Sequence, residues 1–294
     1  MANIIKDLFD KAFLGGEWSV ALKRKDEEIY LVQNEGHKDY WIADPFLYKR
    51  GGKCYLFCEK YLRRKSKGVI GVFEINDDLS LNDLGVAIDE PYHISYPHVF
   101  EIGNYLYMIP ESSGARTIDL YICDSFPLKW RKIKTLENDL YAVDSNTFIK
   151  EGQRFLITYV YQNRVPFLQV YVFDDVNLAL ELVCVHEYDD NVGRGAGNIF
   201  FEDGVAIRPT QNQKMKYGES LLFNEMQFSG NVYCENIRHE LKVDDIKSNG
   251  RKRYKRIHTY NSLDELEVVD IRSEEYKPFL IFEKLKRRLY NKGR

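Results

Sequence analysis

The strongest constraint in this chain is an internal repeat. A strand opening on a polar residue, a tight Gly or charged turn, a second apolar strand, a loop and a third strand recur along it. The first copy opens at Asp44, turns at Gly51 and Gly52, and continues through Cys54–Glu59 and Gly68–Glu74. The second opens at Pro97, the third at Ser145 and the fourth at Gly197, with turns at Gly103, Gly152 and Gly204; a weaker fifth opens at Ile257. Copies start 48 to 60 residues apart. Each holds hairpin turns between β-branched and aromatic runs, which is the signature of antiparallel strands. One such sheet alone cannot bury both faces, whereas sheets arranged radially bury one another. The expected fold is therefore all-β, a five-bladed β-propeller over residues 16–272, with a two-sheet sandwich as the alternative. The segment Gly16–Leu22 has no blade of its own and is expected to complete the fifth and close the ring.

Composition agrees with one large β architecture and excludes several function classes. The 294 residues include 21 Tyr and 17 Phe, only 8 Pro and no Gly/Ser tract, so a single domain without linker is expected. A net charge of −3 gives no reason to expect nucleic acid as a partner. No apolar run reaches the roughly 20 residues of a membrane span. Charges at Lys6, Asp7, Asp10 and Lys11 interrupt what would be a signal-peptide core, so a cytoplasmic location is expected. Five scattered Cys fit reduced thiols in the same compartment. Ile4, Ile5, Leu8, Phe9 and Phe13 fall at helical spacing and predict a short N-terminal helix. The tail 276–294 carries seven Lys/Arg against one Glu among Phe279, Leu280, Phe282, Leu285 and Leu289. It reads as a basic amphipathic helix, packed on the rim or held at the inner face of an anionic membrane.

In a propeller the innermost strands run along a central channel, so polar residues opening them converge at one mouth. Asp44, His98, Asp144, Asn146, Asn198 and His258 occupy those openings, while Glu59, Glu111, Arg208 and Gln211 lie toward the ends of second strands. Several carboxylates at one mouth suit glycosidic chemistry, in which one acid protonates an exocyclic oxygen and another acts as nucleophile, base or cation stabiliser. Crowding raises one pKa and keeps that acid protonated. Asp44 is the candidate nucleophile or base, and Glu111 or Asp144 the candidate acid. Arg194 and Arg208 are suited to an anion through forked hydrogen bonds, or to ion pairs with these carboxylates. Trp41, Tyr96, Tyr161 and Tyr217 are candidates for stacking on a sugar, with core packing the competing use of such rings. Glu59, His98, Asn146, Asn198, Gln211 and His258 complete the substrate-binding set. No metal-ligand spacing, Walker loop or dinucleotide fingerprint occurs, so no cofactor is expected, although a single Ca²⁺ or water in the channel stays open.

The segments Trp41–Phe46, Ser95–Glu101, Tyr107–Ser112, Phe126–Trp130, Ala206–Gln211 with Tyr217–Gly218, and His258–Asn261 carry a family resemblance. They resemble the propeller domain found beside glycosyltransferase or formyltransferase modules in surface-polysaccharide loci, and the N-terminal part of plant glucosaminyl inositolphosphorylceramide transferases. That group is similar to the five-bladed arabinanases, β-xylosidases and invertases, in which a blade-one Asp in an Asp-Pro setting is base or nucleophile. This carries onto Asp44. Their acid is a Glu of the third blade, where this chain opens with Asp144, Ser145 and Asn146 instead, and Glu111 does not stand in that place. The resemblance implies an enzyme of capsule or lipopolysaccharide assembly, a glycosyltransferase of a furanose sugar, with an activated sugar donor and a glycan acceptor as partners. A non-catalytic glycan-binding module and an intracellular furanosidase are the alternatives.

Overall fold

The computed structural model describes residues 14–162, 165–188, 191–229 and 232–276. Twenty-one of its strands form five antiparallel sheets around one axis. The first blade runs outward as Tyr40–Arg50, Lys53–Leu62, Lys67–Ile75 and Leu81–Ile88. The second is Ser95–Ile102, Tyr105–Ser112, Thr117–Ser125 and Lys129–Glu137, and the third Ala142–Lys150, Gln153–Gln162, Val165–Asp174 and Ala179–Glu187. In the fourth the innermost strand is broken into Arg194–Gly195 and Phe200–Glu202, followed by Val205–Asn212, Ser220–Ser229 and Val232–Lys242. The fifth begins with Tyr254–Leu263 and Leu266–Ser273 and is completed by Trp18–Arg24 and Leu31–Gln33 from the other end of the sequence. The ring thus closes as the stretch 16–22 predicts. Beyond that seam Leu14–Gly15 pairs with Glu275–Tyr276.

The repeat as read from sequence has three strands per unit; each blade has a fourth, outer strand. Those outer strands are richer in exposed polar residues, as in Lys129–Glu137, so they lack the apolar run that marks the inner three. The N-terminal helix and the basic tail expected from sequence lie outside the described residues. Among the described residues, no helix is long and apolar enough to cross a membrane.

Why the inner strands are so apolar follows from the packing. Five buried clusters occupy the five gaps between neighbouring blades. Val20 and Leu22 face the first blade while Ala21, between them, faces the fourth. Leu56 packs toward the fifth blade and its neighbour Phe57 toward the second. A strand buried on both faces needs a continuous run of hydrophobic residues rather than an alternating one. Each such side chain, fully buried, contributes about 1.5 to 3 kcal/mol.

Candidate active site at the channel mouth

One backbone device recurs in four blades and aims the site. Where the innermost strand pairs with the second, two inner residues stand against one outer residue. Asp44 and Pro45 oppose Cys58, Tyr96 and Pro97 oppose Pro110, Asp144 and Ser145 oppose Thr158, and His258 and Thr259 oppose Asp270. These are β-bulges, which bend the strand and re-aim a side chain. Asp44, Tyr96 and Asp144 all take left-handed backbone angles there, with φ of +48°, +48° and +51°. In the fourth blade Gly197, φ +130°, sits in the break of the inner strand. Its missing Cβ would stand 1.8 Å from the Tyr260 carbonyl oxygen, so only glycine allows this approach.

Tyr96, a candidate for sugar stacking, has no exposed surface. It crosses the axis: its hydroxyl donates to the Gly197 carbonyl at 3.1 Å and accepts from Gly197 N–H at 2.7 Å and from Asn146 Nδ2 at 2.8 Å. Tyr96 closes the channel instead of lining the mouth. His98 has both ring nitrogens engaged. Nε2 accepts the Thr147 N–H at 2.9 Å, which leaves the proton on Nδ1, 2.9 Å from Asn198 Oδ1. Burial holds His98 neutral, down to about 4. Asn198 N–H in turn reaches Asn261 Oδ1 at 2.7 Å, and Asn261 Nδ2 reaches the Pro45 carbonyl at 2.6 Å. His98, Asn146 and Asn198 are therefore buckles between blades.

Above this belt the charged groups meet. Asp270 is fully buried and was not singled out in the sequence. Its carboxylate accepts the backbone N–H groups of Asp44 (2.9 Å), His258 (3.1 Å) and Thr259 (2.9 Å), and its Oδ2 lies 2.6 Å from His258 Nδ1. It thus caps amides that the first-blade and fifth-blade bulges free and fixes the imidazole, which stacks on Trp18 at 3.9 Å. His258 Nε2 points to Asp44 Oδ1 at 3.5 Å, and Thr259 Oγ1 donates to the same oxygen at 3.1 Å. Burial works against a charged His258, yet Asp270 and Asp44 outweigh it and raise its pKa. Burial raises Asp44 as well, opposed by His258 and reinforced by Asp270 and Asp144. Asp44, His258 and Asp270 bring ligand atoms within 4.8 Å of one another, the spacing of a cation site. Asp270, however, is already engaged by three amides and an imidazole, so this donor set fits a proton-sharing chain better than a metal.

On the other wall Arg194 forks onto Asp144, through Nε to Oδ2 and through a terminal nitrogen to Oδ1 at 3.3 Å, and reaches Glu111 Oε2 at 3.2 Å. Gln211 Nε2 adds a bond to Asp144 Oδ2 at 3.2 Å. Burial pushes Asp144 up to about 7 against the pull of Arg194. Glu59 is buried, and burial with the nearby Asp44 and Glu111 carboxyls lifts it well above the ordinary range. The Tyr217 ring lies 5.9 Å from the Arg194 guanidinium and 5.4 Å from His258, and stays partly open to solvent.

The reading of both arginines as anion binders is not matched by this geometry. Arg194 is already bound to two carboxylates. Arg208 is buried with Glu235 (2.7 Å), the Gly193 carbonyl (2.5 Å) and Tyr188, behind the mouth rather than in it. Arg194 thus takes the other use the sequence left open, an ion pair with the mouth carboxylates, whereas Arg208 pairs with Glu235, which was not among the candidates. Of the sequence-derived set, Asp44, Glu59, Glu111, Asp144, Arg194, Gln211, Tyr217 and His258 share the mouth. Trp18 and Asp270 were missed. The signal for Asp270 was present: one charged residue within Val268–Ile271, an otherwise apolar and fully buried stretch. An apolar cleft of about 550 Å³, lined by Phe148, Phe201, Val205, Met226 and Phe228, lies at the far end of the third and fourth blades, away from these carboxylates.

Fold and site together define a five-bladed propeller with an acidic channel mouth. Solved structures share the fold: a thermostable family-43 glycoside hydrolase (TM-score 0.59, 15% identity, 83% of this chain and 92% of that one) and the Cellvibrio cellulosa α-L-arabinanase (0.53, 12%, 74% and 88%) align with it. A Bombyx mori family-32 β-fructofuranosidase aligns likewise (0.57, 12%, 89% and 59%). At such identities the likeness is one of fold. Residues 28–278 match the family described as glucosamine inositolphosphorylceramide transferase 1, N-terminal, and the chain belongs to that family. The Oryza sativa (subsp. indica) protein of that name is 26% identical over 229 residues, 72% of this chain and 30% of the rice protein. The Arabidopsis thaliana protein is 38% identical over 126 residues, 42% of this chain and 16% of its own length. The chain thus spans under a third of the length of these relatives.

Proposed function

We propose that this chain is a carbohydrate-active enzyme that transfers a sugar during surface-glycan assembly, from an activated donor to a glycan acceptor. The observation that carries the reading is the convergence of Asp44, Glu59, Glu111 and Asp144, from three blades, on one mouth with Arg194 and His258. Asp44 meets the anomeric carbon or takes the proton of the incoming hydroxyl, with His258 and Asp270 holding it in place. Charge that develops on the sugar ring is offset by the remaining carboxylates. The names of the curated relatives support transferase chemistry on a hexosamine, and those of the fold neighbours support furanosides. A capsule or lipopolysaccharide precursor as acceptor, and a site of action at the cytoplasmic face of the membrane, belong to the same proposal. The test incubates purified protein with a panel of activated sugars and glycan acceptors and reads the products by mass spectrometry. Mass gain on an acceptor that disappears in Asp44→Asn supports it; release of free sugar alone would make the protein a hydrolase.

A second reading, a glycan-holding module, is favoured by one fact: the relatives called transferases are more than three times longer than the stretch they share with this chain. It predicts sugar binding without turnover, and unchanged binding in Asp44→Asn.

A further inference from the structure

Glu59 has a surrounding unlike that of the other carboxyls at the mouth. Asp144 and Glu111 are held by Arg194, and Asp270 by backbone amides. Glu59 is 5% exposed, and its Oε1 is enclosed without a hydrogen bond. Such an oxygen is uncommon in a native interior. The charged groups bearing on it are Asp44, Glu111 and Asp270, all of one sign, from the first, second and fifth blades.

The nitrogen that stands toward this oxygen is Nε2 of His93, 3.4 Å away, in the segment that leads into the second blade. The His93 ring is half-exposed, and its Nδ1 accepts the Gly68 N–H at 3.1 Å. That bond settles the tautomer: Nδ1 carries no proton, so the ring N–H is on Nε2 and faces Glu59. Burial and the nearby Lys67 keep the ring neutral, against the pull of Asp44. Gly68 makes the arrangement possible. A Cβ at that position would stand 2.7 Å from Glu59 Oε1 and 2.8 Å from His93 Cε1, closing the gap between them.

We propose that Glu59 is the proton donor of the sugar reaction and that His93 is a positioning residue that sets its acidity. The inference rests on the sugar-transfer reading above. The proton passes from Glu59 to the exocyclic oxygen as the anomeric C–O bond breaks, and the bonding electrons stay on that oxygen. As the carboxylate forms, the neutral His93 Nε2–H closes on Oε1 and stabilises the new charge without giving up its own proton. Glu59 then regains a proton from solvent, which reaches the mouth beside the half-exposed ring. The other two candidates have partners of their own: Glu111 and Asp144 already accept hydrogen bonds from Arg194, and Asp144 a further one from Gln211.

The test needs no sugar. Carbon-13 NMR of side-chain-labelled glutamate in the full chain, with the Glu59 signal assigned by its loss in Glu59→Gln, reads protonation directly. We expect Glu59 to keep its acid-form shift through pH 7. In His93→Phe its midpoint should move up by about one pH unit or more, because the forming carboxylate loses its donor. His93→Gln, which retains an N–H donor, should stay near the wild-type midpoint and keeps the test valid if the Phe variant fails to fold. A Glu59 ionised at pH 7, or a midpoint indifferent to both variants, overturns the proposal. So does a nitrogen-15 spectrum showing His93 protonated on Nδ1. Absence of turnover with every sugar would count against the functional reading alone, since these signals are recorded without substrate. Where turnover is found, His93→Phe should lower kcat more than it changes KM and shift the basic limb of the pH profile upward.

Discussion

Asp44 and Asp144 stand at the same point of two different blades, each the first residue of a two-against-one bulge with a left-handed backbone, φ +48° and +51°. A non-glycine residue in that region costs about 1 to 2 kcal/mol. The two carboxyls are thus turned to the axis by a repeated strain, and the surrounding blades hold it in place.

For Asp44 this separates chemistry from folding. Asn tolerates the left-handed region almost as well as Asp, whereas Ala does not. Asp44→Asn is expected to lose 10²- to 10⁴-fold in sugar turnover, the usual scale for a general acid or base, with its urea midpoint near wild type. Asp44→Ala should lose the same activity and a further ~1 to 2 kcal/mol of stability. An Asn variant with full turnover would remove Asp44 from the reaction.

Asp270 is the converse case, a carboxylate whose work is structural. Removing it leaves the amides of Asp44, His258 and Thr259 and the His258 imidazole without their shared acceptor in a buried place. Asp270→Ala is expected to cost about 3 to 5 kcal/mol in urea unfolding, the scale for breaking a buried charged network. A loss below about 1 kcal/mol would mean that water replaces the carboxylate and that the fifth blade does not depend on it.

Stability should fall as pH rises across neutrality. Asp144 holds its proton up to about 7 in the fold against a usual 3.8, and His258 is raised above its usual 6.5. For both, the folded state binds a proton more tightly than the unfolded one. Their contribution is fully present below the unfolded value and is lost as pH rises through the folded one. Urea unfolding should therefore give a more stable protein at pH 5.5 than at pH 8, and Asp144→Asn should flatten the part of the slope below pH 7. A wild-type curve that rises over this interval contradicts the assignment.

Two glycines offer a matched comparison of backbone strain and close approach. Gly197 and Gly204 both have positive φ, +130° and +80°, but only Gly197 lies against another chain segment, the Tyr260 carbonyl. Gly204 has open space where a Cβ would go. Gly204→Ala should cost about 1 kcal/mol, the left-handed term alone. Gly197→Ala should cost about 3 kcal/mol or more, because the inner strands of the fourth and fifth blades must also move apart. Equal losses in thermal or urea unfolding would place the strain in the backbone angle and leave the contact without weight.

The order of blades, the closing segment Gly16–Leu22 and the polar residues that open inner strands were all readable in the chain, because each blade repeats one local pattern of apolar runs and turns. That pattern exists in sequence for a physical reason: every inner strand is buried on both faces and must be apolar throughout except where it reaches the mouth. Asp44, Asp144 and His258 stand out against such a background. Asp270 stood out as well, yet lies opposite the bulge rather than in it, one register step away from Glu59 and Glu111 in the equivalent strands. What each polar side chain does was beyond local pattern. Tyr96 and His98 open a strand much as Asp44 does, but their partners come from blades 50 to 100 residues away. Nothing within a single repeat distinguishes a residue that bolts blades together from one that faces a ligand. The sequence by itself determined the fold and the address of the mouth, since periodicity and turn chemistry act over a few residues. Only the tertiary structure decided which charges meet: pairing Arg194 with Asp144 and Glu111, withdrawing Arg208 to Glu235, and leaving Glu59 beside His93 depend on distances across the axis that no stretch of chain encodes alone.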